Sequence, residues 1–153
     1  MSLVSSLIYR ALVWKERQRA QRASRGGERR HEASHLEIGA RGETLAYWYL
    51  RQAGYIIVAR NRRGRGRHEE LDLIGWDGPI LAFIEVKTRS SAEAGPPEAA
   101  VHRSKQKRVA KAARDYLRRL EKKPLNYRFD IVSVSWNPER GYEPRLIKDA
   151  FKG

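Results

Sequence analysis

Three carboxylates and a lysine sit close together in Glu70-Leu71-Asp72-Leu73-Ile74 and Phe83-Ile84-Glu85-Val86-Lys87. Apolar residues flank each of them, as in β-strands, and the Asp77-Gly78 pair between the two runs is a strong hairpin signal. With Asp77-Gly78 as a two-residue turn, Glu70 lies opposite Glu85 and Asp72 opposite Phe83. Period-two alternation then gathers Glu70, Asp72, Glu85 and Lys87 on one face, and sends Leu71, Leu73, Ile84 and Val86 into a core on the other. Asp72 and Glu85 become diagonal neighbours, roughly 7–8 Å apart at the backbone and closer at their tips.

Like charges directly opposed on a sheet destabilise it, and desolvation favours protonating one of them. A divalent cation removes the conflict by taking oxygen ligands from both. Mg²⁺ suits two carboxylates, with water and phosphate oxygens in its remaining positions. It would polarise a phosphoryl group and acidify a bound water, while Lys87 orients that water and balances charge. In a chain of net charge +14, this combination points to metal-assisted cleavage of a phosphodiester. The same residues also fit a plain salt-bridge cluster of Glu70, Glu85, Lys87 and nearby arginines, and spacing alone leaves the two readings balanced.

The 153 residues suit one domain with an appendage and are enough to bury a core. There is no cysteine, which excludes disulfides and thiolate metal sites and suits a reducing, cytoplasmic setting. No apolar run approaches the roughly 20 residues of a membrane span, and Arg10 interrupts the only N-terminal apolar stretch, against a secretory signal. A sequence pI near 10.5 favours a polyanionic partner, of which nucleic acid is the commonest.

The elements that must position the charged residues can be read in outline. Residues 1–35 form an extension: Leu3, Val4, Leu7, Ile8, Ala11 and Leu12 fall at helical spacing, and an Arg- and Gly-rich arm follows Trp14. This short stripe suits docking on the body of the protein, or partial disorder, better than a membrane surface. Residues 36–153 form the main domain. A helix over 40–53 ends at Gly54, and Tyr55–Ala59 is a strand. An Arg-rich loop with Arg60, Arg62, Arg63, Arg65 and Arg67 leads into strands at about 69–76 and 79–88. A second helix running to about Leu120 carries the apolar stripe Val109, Ala112, Ala113, Tyr116, Leu117 and Leu120. A strand spans Tyr127–Ser135, and residues 143–147 form a short edge strand. The fold class is α/β, with a mixed sheet of four to five strands in the order α-β-β-β-α-β(-β). The arginines of the 60–67 loop are placed to grip phosphates beside the acidic strand, and Arg89 follows the lysine strand. His31, His35, His68 and His102 have no zinc-ligand spacing; His68 reads as an exposed loop residue.

One carboxylate, a gap holding a hairpin turn, and then Glu-x-Lys resembles the PD-(D/E)xK nuclease superfamily. More narrowly, the chain resembles the YraN-like family of small bacterial proteins, which are similar to archaeal Holliday junction resolvases. The likeness runs from about Gly39 to Phe151 through GARGETLA at 39–46, AGYIIVARNRR at 53–63, ELDLIGWDG at 70–78, LAFIEVKTR at 81–89, the spaced Gly95, Val101 and Lys105, RFDIV at 128–132 and LIKDAF at 146–151. It implies a restriction-endonuclease-like core and a divalent-metal nuclease site. Asp72 and Glu85 would be metal ligands and Lys87 the catalytic lysine. Glu43 would join the site from its helix, although a glutamate in a first helical turn also simply favours the macrodipole. Glu70 matches the carboxylate two residues before the aspartate; here Glu69 stands where the family usually has glycine. Lys105, one turn before Val109, becomes a phosphate ligand at the rim of the site, while Lys107 and Arg108 face solvent or follow the nucleic acid backbone. The resulting expectation is a Mg²⁺- or Mn²⁺-dependent endonuclease acting on DNA, including branched or structured DNA. Action on two strands would favour a homodimer. The competing expectations are a non-catalytic nucleic-acid-binding module and a scaffold that docks a partner through residues 3–12.

Overall fold

The computed structural model describes residues 3–25, 35–63, 70–90, 101–137 and 140–153. Three helices and five strands alternate as α1 (Leu3–Arg25), α2 (His35–Gln52), β1 (Ile56–Arg63), β2 (Glu70–Asp77), β3 (Ile80–Ser90), α3 (Arg103–Arg118), β4 (Asn126–Asn137) and β5 (Gly141–Phe151). The strands form one sheet in sequence order. β1, β2 and β3 are an antiparallel meander, β3 and β4 run parallel, and β4 and β5 are antiparallel. The parallel pair follows from α3, because a crossover between parallel strands needs a dozen or more residues. The order is the one the sequence implies, with helices on both faces of a five-stranded mixed sheet.

Alternation along β3 builds two cores. Leu81 and Phe83 face α3 with Val109, Ala112, Ala113, Phe129 and Ile131, whereas Ala82 and Ile84 face α2 with Leu45, Ala46, Leu50, Val132 and Val134. α1 lies against α2 and β5 and adds Tyr9, Leu12 and Val13 to the α2-side core. α2 ends where expected, at Gly54, whose φ of +97° suits a helix-terminating glycine. β5 is longer than the expected edge strand and accommodates Pro144 opposite Val134, since an edge strand tolerates a missing N–H.

The hairpin differs from the expected register. Asp77 pairs with Ile80, so the turn is Gly78-Pro79 rather than Asp77-Gly78. Gly78 at φ +58° supplies the positive dihedral of the first turn position, and Pro79 supplies the negative one of the second. Asp77 stays in the strand because Arg128 and Lys148 hold its carboxylate at 2.5 and 2.6 Å. Each residue of β2 therefore meets a partner two positions later than expected. The parity is unchanged, so Asp72, Glu85 and Lys87 keep their shared face, but their opposition changes. One apolar residue also departs from expectation. Leu73, Ile84 and Val86 do join the α2-side core, but Leu71 packs on the α3 side.

Candidate functional site

The β2–β3 ladder runs from Asp77↔Ile80 to Leu73↔Ile84. One step further, the Val86 N–H donates to Asp72 Oδ2 at 2.8 Å, a side chain taking the place of a ladder carbonyl. The two strands part there, which leaves β2 free to turn Leu71 toward α3. Continuing the ladder puts Asp72 level with Glu85, in place of the diagonal arrangement read from the sequence. Glu70 likewise moves off Glu85: it is exposed and faces Arg63 of β1, its Oε1 lying 3.8 Å from Arg63 Nε.

Glu85 is buried, at 6% exposure. Its Oε1 accepts from Lys105 Nζ at 3.0 Å, while Oε2 is buried with no donor among the described residues. Burial, then the Asp72 charge, push Glu85 up to about 8, against the pull of Lys105. Asp72 is also raised, by burial first and by Glu70 further on; the Val86 N–H and Lys105 act the other way. The two carboxyls are within hydrogen-bonding reach of each other. Two ionised carboxylates have only acceptors to offer, so that contact becomes a hydrogen bond only when one of them keeps its proton. A lysine on one oxygen does not neutralise the pair.

Glu43 approaches from the other helical layer. Gly42 makes this possible: a Cβ there would lie 2.0 Å from Thr88 Oγ1 and 3.1 Å from Thr88 Cβ. α2 therefore closes directly on the end of β3 beside the site. The Glu43 carboxyl is raised by burial, then by Asp72 and Glu70, and is relieved in part by Arg60 and a hydrogen bond with Asn61. Asn61 takes a positive φ of 46°, a conformation asparagine tolerates better than most residues. Gly42→Ala should cost about 1–3 kcal/mol through overpacking, which outweighs the helix-propensity gain of roughly 1 kcal/mol. Thr88→Ala in the same chain should recover most of it. Urea unfolding of the single and double variants checks this, and a stabilised Gly42→Ala would contradict the close approach.

Of the four acidic residues expected at the site, the structure brings Asp72 and Glu85 into contact and leaves Glu43 and Glu70 within electrostatic range of Asp72. Among the described residues, no three acidic or histidine side chains cluster closely enough to form a metal cage. The donor set still fits a hard divalent ion. Mg²⁺ commonly binds through one or two carboxylates and completes its shell with water and phosphate oxygens, and the buried Glu85 Oε2, which has no donor among the described residues, offers it a ligand. Lys87 lies two residues beyond Glu85, exposed on the same face of β3.

Arg62 and Arg63 are exposed on β1 across from Leu71 and Glu70, and they line a small cleft with Tyr116 of α3 and Arg119 just past its end. Lys107 and Arg108 are exposed on α3, and Arg89 is half-buried near the end of β3. Lys105 turns inward to Glu85. Arg65, Arg67 and His68 lie outside the described residues. The sequence reading missed a second polar cluster. Asp130, fully buried on the α2 face, is held by Arg128 Nε at 2.8 Å, the Tyr55 hydroxyl at 3.0 Å and the Asp149 N–H at 2.9 Å. The signal was present as a charge inside the apolar strand RFDIV.

Residues 42–134 match the Uncharacterised protein family UPF0102. The chain belongs to this family, that of the YraN-like proteins. It is 48% identical to a UPF0102 protein of Koribacter versatilis over 121 residues, covering 78% of this chain and 82% of the relative. A UPF0102 protein of Solibacter usitatus is 51% identical over 112 residues, covering 73% and 83%. One from Symbiobacterium thermophilum is 45% identical over 114 residues, covering 74% and 95%. The matched span of the UPF0102 family contains Glu43, Asp72, Glu85, Lys87 and Lys105, whereas α1 lies before it.

Proposed function

We propose that this YraN-like protein is a divalent-metal-dependent endonuclease acting on DNA, with branched or structured DNA as its substrate by analogy with resolvases. The observation that supports it most is the pair of carboxylates, buried Glu85 and half-buried Asp72, facing each other where β2 and β3 separate, with one Glu85 oxygen lacking a partner among the described residues. A structural ion pair would be expected to satisfy both oxygens. Asp72 and Glu85 would hold Mg²⁺ or Mn²⁺. The ion would supply Lewis-acid polarisation of the phosphoryl group and a more acidic bound water.

The protein's own residues do the rest. The Val86 N–H fixes the Asp72 carboxylate, so the site is organised before substrate arrives. Lys87 at the exposed edge orients the attacking water and offsets charge on the phosphoryl oxygens. Lys105, released from Glu85, meets a phosphate oxygen, and Arg62, Arg63, Lys107 and Arg108 grip the flanking backbone.

Cleavage of junction, flap and single-stranded DNA with Mg²⁺ or Mn²⁺ tests this reading. Asp72→Ala, Glu85→Ala and Lys87→Ala should each lower the rate by roughly 10²–10³-fold or more. Cleavage unchanged in Asp72→Ala and Glu85→Ala would contradict it. A second reading, a non-catalytic nucleic-acid-binding module, is favoured by the 3.0 Å Lys105–Glu85 ion pair, which partly balances the site without metal. It predicts strongly salt-dependent binding that needs no metal and is unchanged in Asp72→Ala.

A further inference from the structure

α1 carries two apolar faces, and among the described residues only one of them is packed against the body of the protein. Ser5 and Ala20 are buried, and Tyr9, Leu12 and Val13 pack on the α2-side core. Tyr9 lies 5.8 Å from the Tyr49 ring, and Ser6 accepts a hydrogen bond from Gln52. Of the six residues read from the sequence as one stripe, Leu12 turns inward, Leu3, Val4, Leu7 and Ala11 turn outward, and Ile8 is half-buried between the two faces. Trp14 extends the outward set by another turn.

Leu3 is 84% exposed, Val4 62%, Leu7 65% and Trp14 65%. At 100° per residue these four and Ala11 span an arc of about 100° along the first four turns. Arg10 and Arg17 border that arc on one side and Lys15 on the other, all exposed, with Arg22 beyond its end. Glu16, the only acid of α1, is turned away from the arc, half-buried and paired with Arg19 at 2.9 Å. No helix among the described residues is long and apolar enough to cross a membrane.

We propose that the outward face of α1 is a docking surface for an anionic lipid bilayer. The helix would lie in the interface, with Leu3, Leu7 and Trp14 entering the acyl boundary and the flanking cations on the headgroups. An apolar stripe bordered by Lys and Arg, with an aromatic residue at one end, is the arrangement that interfacial helices present. Charge complementarity selects this occupant. A second copy would bring two cationic margins of a +14 chain together, whereas an anionic headgroup layer neutralises them while the stripe leaves water. The inward face stays on the protein body, so the domain would be held at the bilayer without unfolding α1. This surface lies outside the span matched by the family and does not depend on the Asp72–Glu85 site.

A chain this basic adsorbs to any anionic surface, so the decisive variant changes no charge. Leu3→Ser, Leu7→Ser and Trp14→Ser are combined in the full chain. All three positions are highly exposed, and circular dichroism and the thermal midpoint check that the fold is kept. Flotation uses vesicles of one part phosphatidylglycerol to two parts phosphatidylcholine, with pure phosphatidylcholine vesicles for comparison. Wild type should float with the anionic vesicles and not the neutral ones, and its tryptophan emission should shift to the blue. In the triple variant the bound fraction should fall at least tenfold. Equal vesicle binding by the triple variant would overturn the proposal, since electrostatics alone would then suffice. A wild-type dimer in sedimentation velocity that the variant abolishes would also overturn it, by giving the stripe to a second copy.

Discussion

Glu85→Gln is expected to make the protein more stable, not less, at pH 8 in the absence of divalent cations. Burial and the Asp72 charge hold the Glu85 carboxyl up to about 8, well above its value in an unfolded chain. The folded state therefore binds a proton that the unfolded state has given up. Stability from this group is fully present below about pH 4 and is lost as pH rises through 8. Glutamine fills the same space without the charge, so wild type and variant should be nearly equal near pH 5. They should diverge by a few kcal/mol, roughly, by pH 8. Lys105 loses its partner in the variant but is partly exposed and can turn to water. Urea unfolding across this pH range, with chelator present, measures the effect. A variant less stable than wild type at pH 8 would mean that the Lys105–Glu85 ion pair stabilises the fold by itself, and the case for a cation site there would fail. The variant should lose divalent binding while gaining stability, an exchange common where a binding site stores unfavourable charge.

The largest loss of stability is expected far from this site, from Arg128→Ala. Arg128 Nε donates to both Asp130 oxygens at 2.8 and 3.1 Å, and a terminal nitrogen of the same guanidinium donates to the Tyr55 hydroxyl at 2.8 Å and to Asp77 at 2.5 Å. Asp130 is wholly buried, and its remaining donors, Tyr55 and the Asp149 N–H, are neutral. Removing the guanidinium leaves a buried carboxylate without a cation, which typically costs 3–5 kcal/mol, a large share of what a domain of this size holds. Arg128→Lys should recover part of this, since an ammonium cannot fork onto both partners. Lys148→Ala removes only the exposed partner of Asp77 and should cost under about 1 kcal/mol. Chemical denaturation of the three variants gives the order, and a loss below about 1 kcal/mol for Arg128→Ala would contradict it.

Much of the architecture was legible because it rests on local signals. The α3 stripe, the β-branched strands and the Gly54 stop each announce themselves within a few residues, and together they yield the element order. The hairpin register was not legible from its turn dipeptide. Asp77-Gly78 and Gly78-Pro79 are both acceptable turns, and the choice depends on Arg128 and Lys148, which arrive from 51 and 71 residues away to keep Asp77 in the strand. Parity protected the facial grouping of Asp72, Glu85 and Lys87, because a shift by two residues leaves alternation intact. It did not protect Glu70, whose neighbour across the sheet is Arg63. The approach of Glu43 was legible only as a resemblance, since the absence of a Cβ at Gly42 has meaning only once Thr88 is placed against it. Lys105 was read as a phosphate ligand at the rim of the site; its 3.0 Å contact with Glu85 was not legible, since it depends on how α3 is placed against β3.

The central claim, that Asp72 and Glu85 form a divalent cation site, is tested most directly by titrating Mn²⁺ into wild type and Asp72→Ala in a calorimeter, without nucleic acid. Binding to wild type that disappears in Asp72→Ala, with proton release that grows as the pH is lowered below 8, is the result predicted here. Equal Mn²⁺ binding by both proteins, or none by wild type, would contradict it.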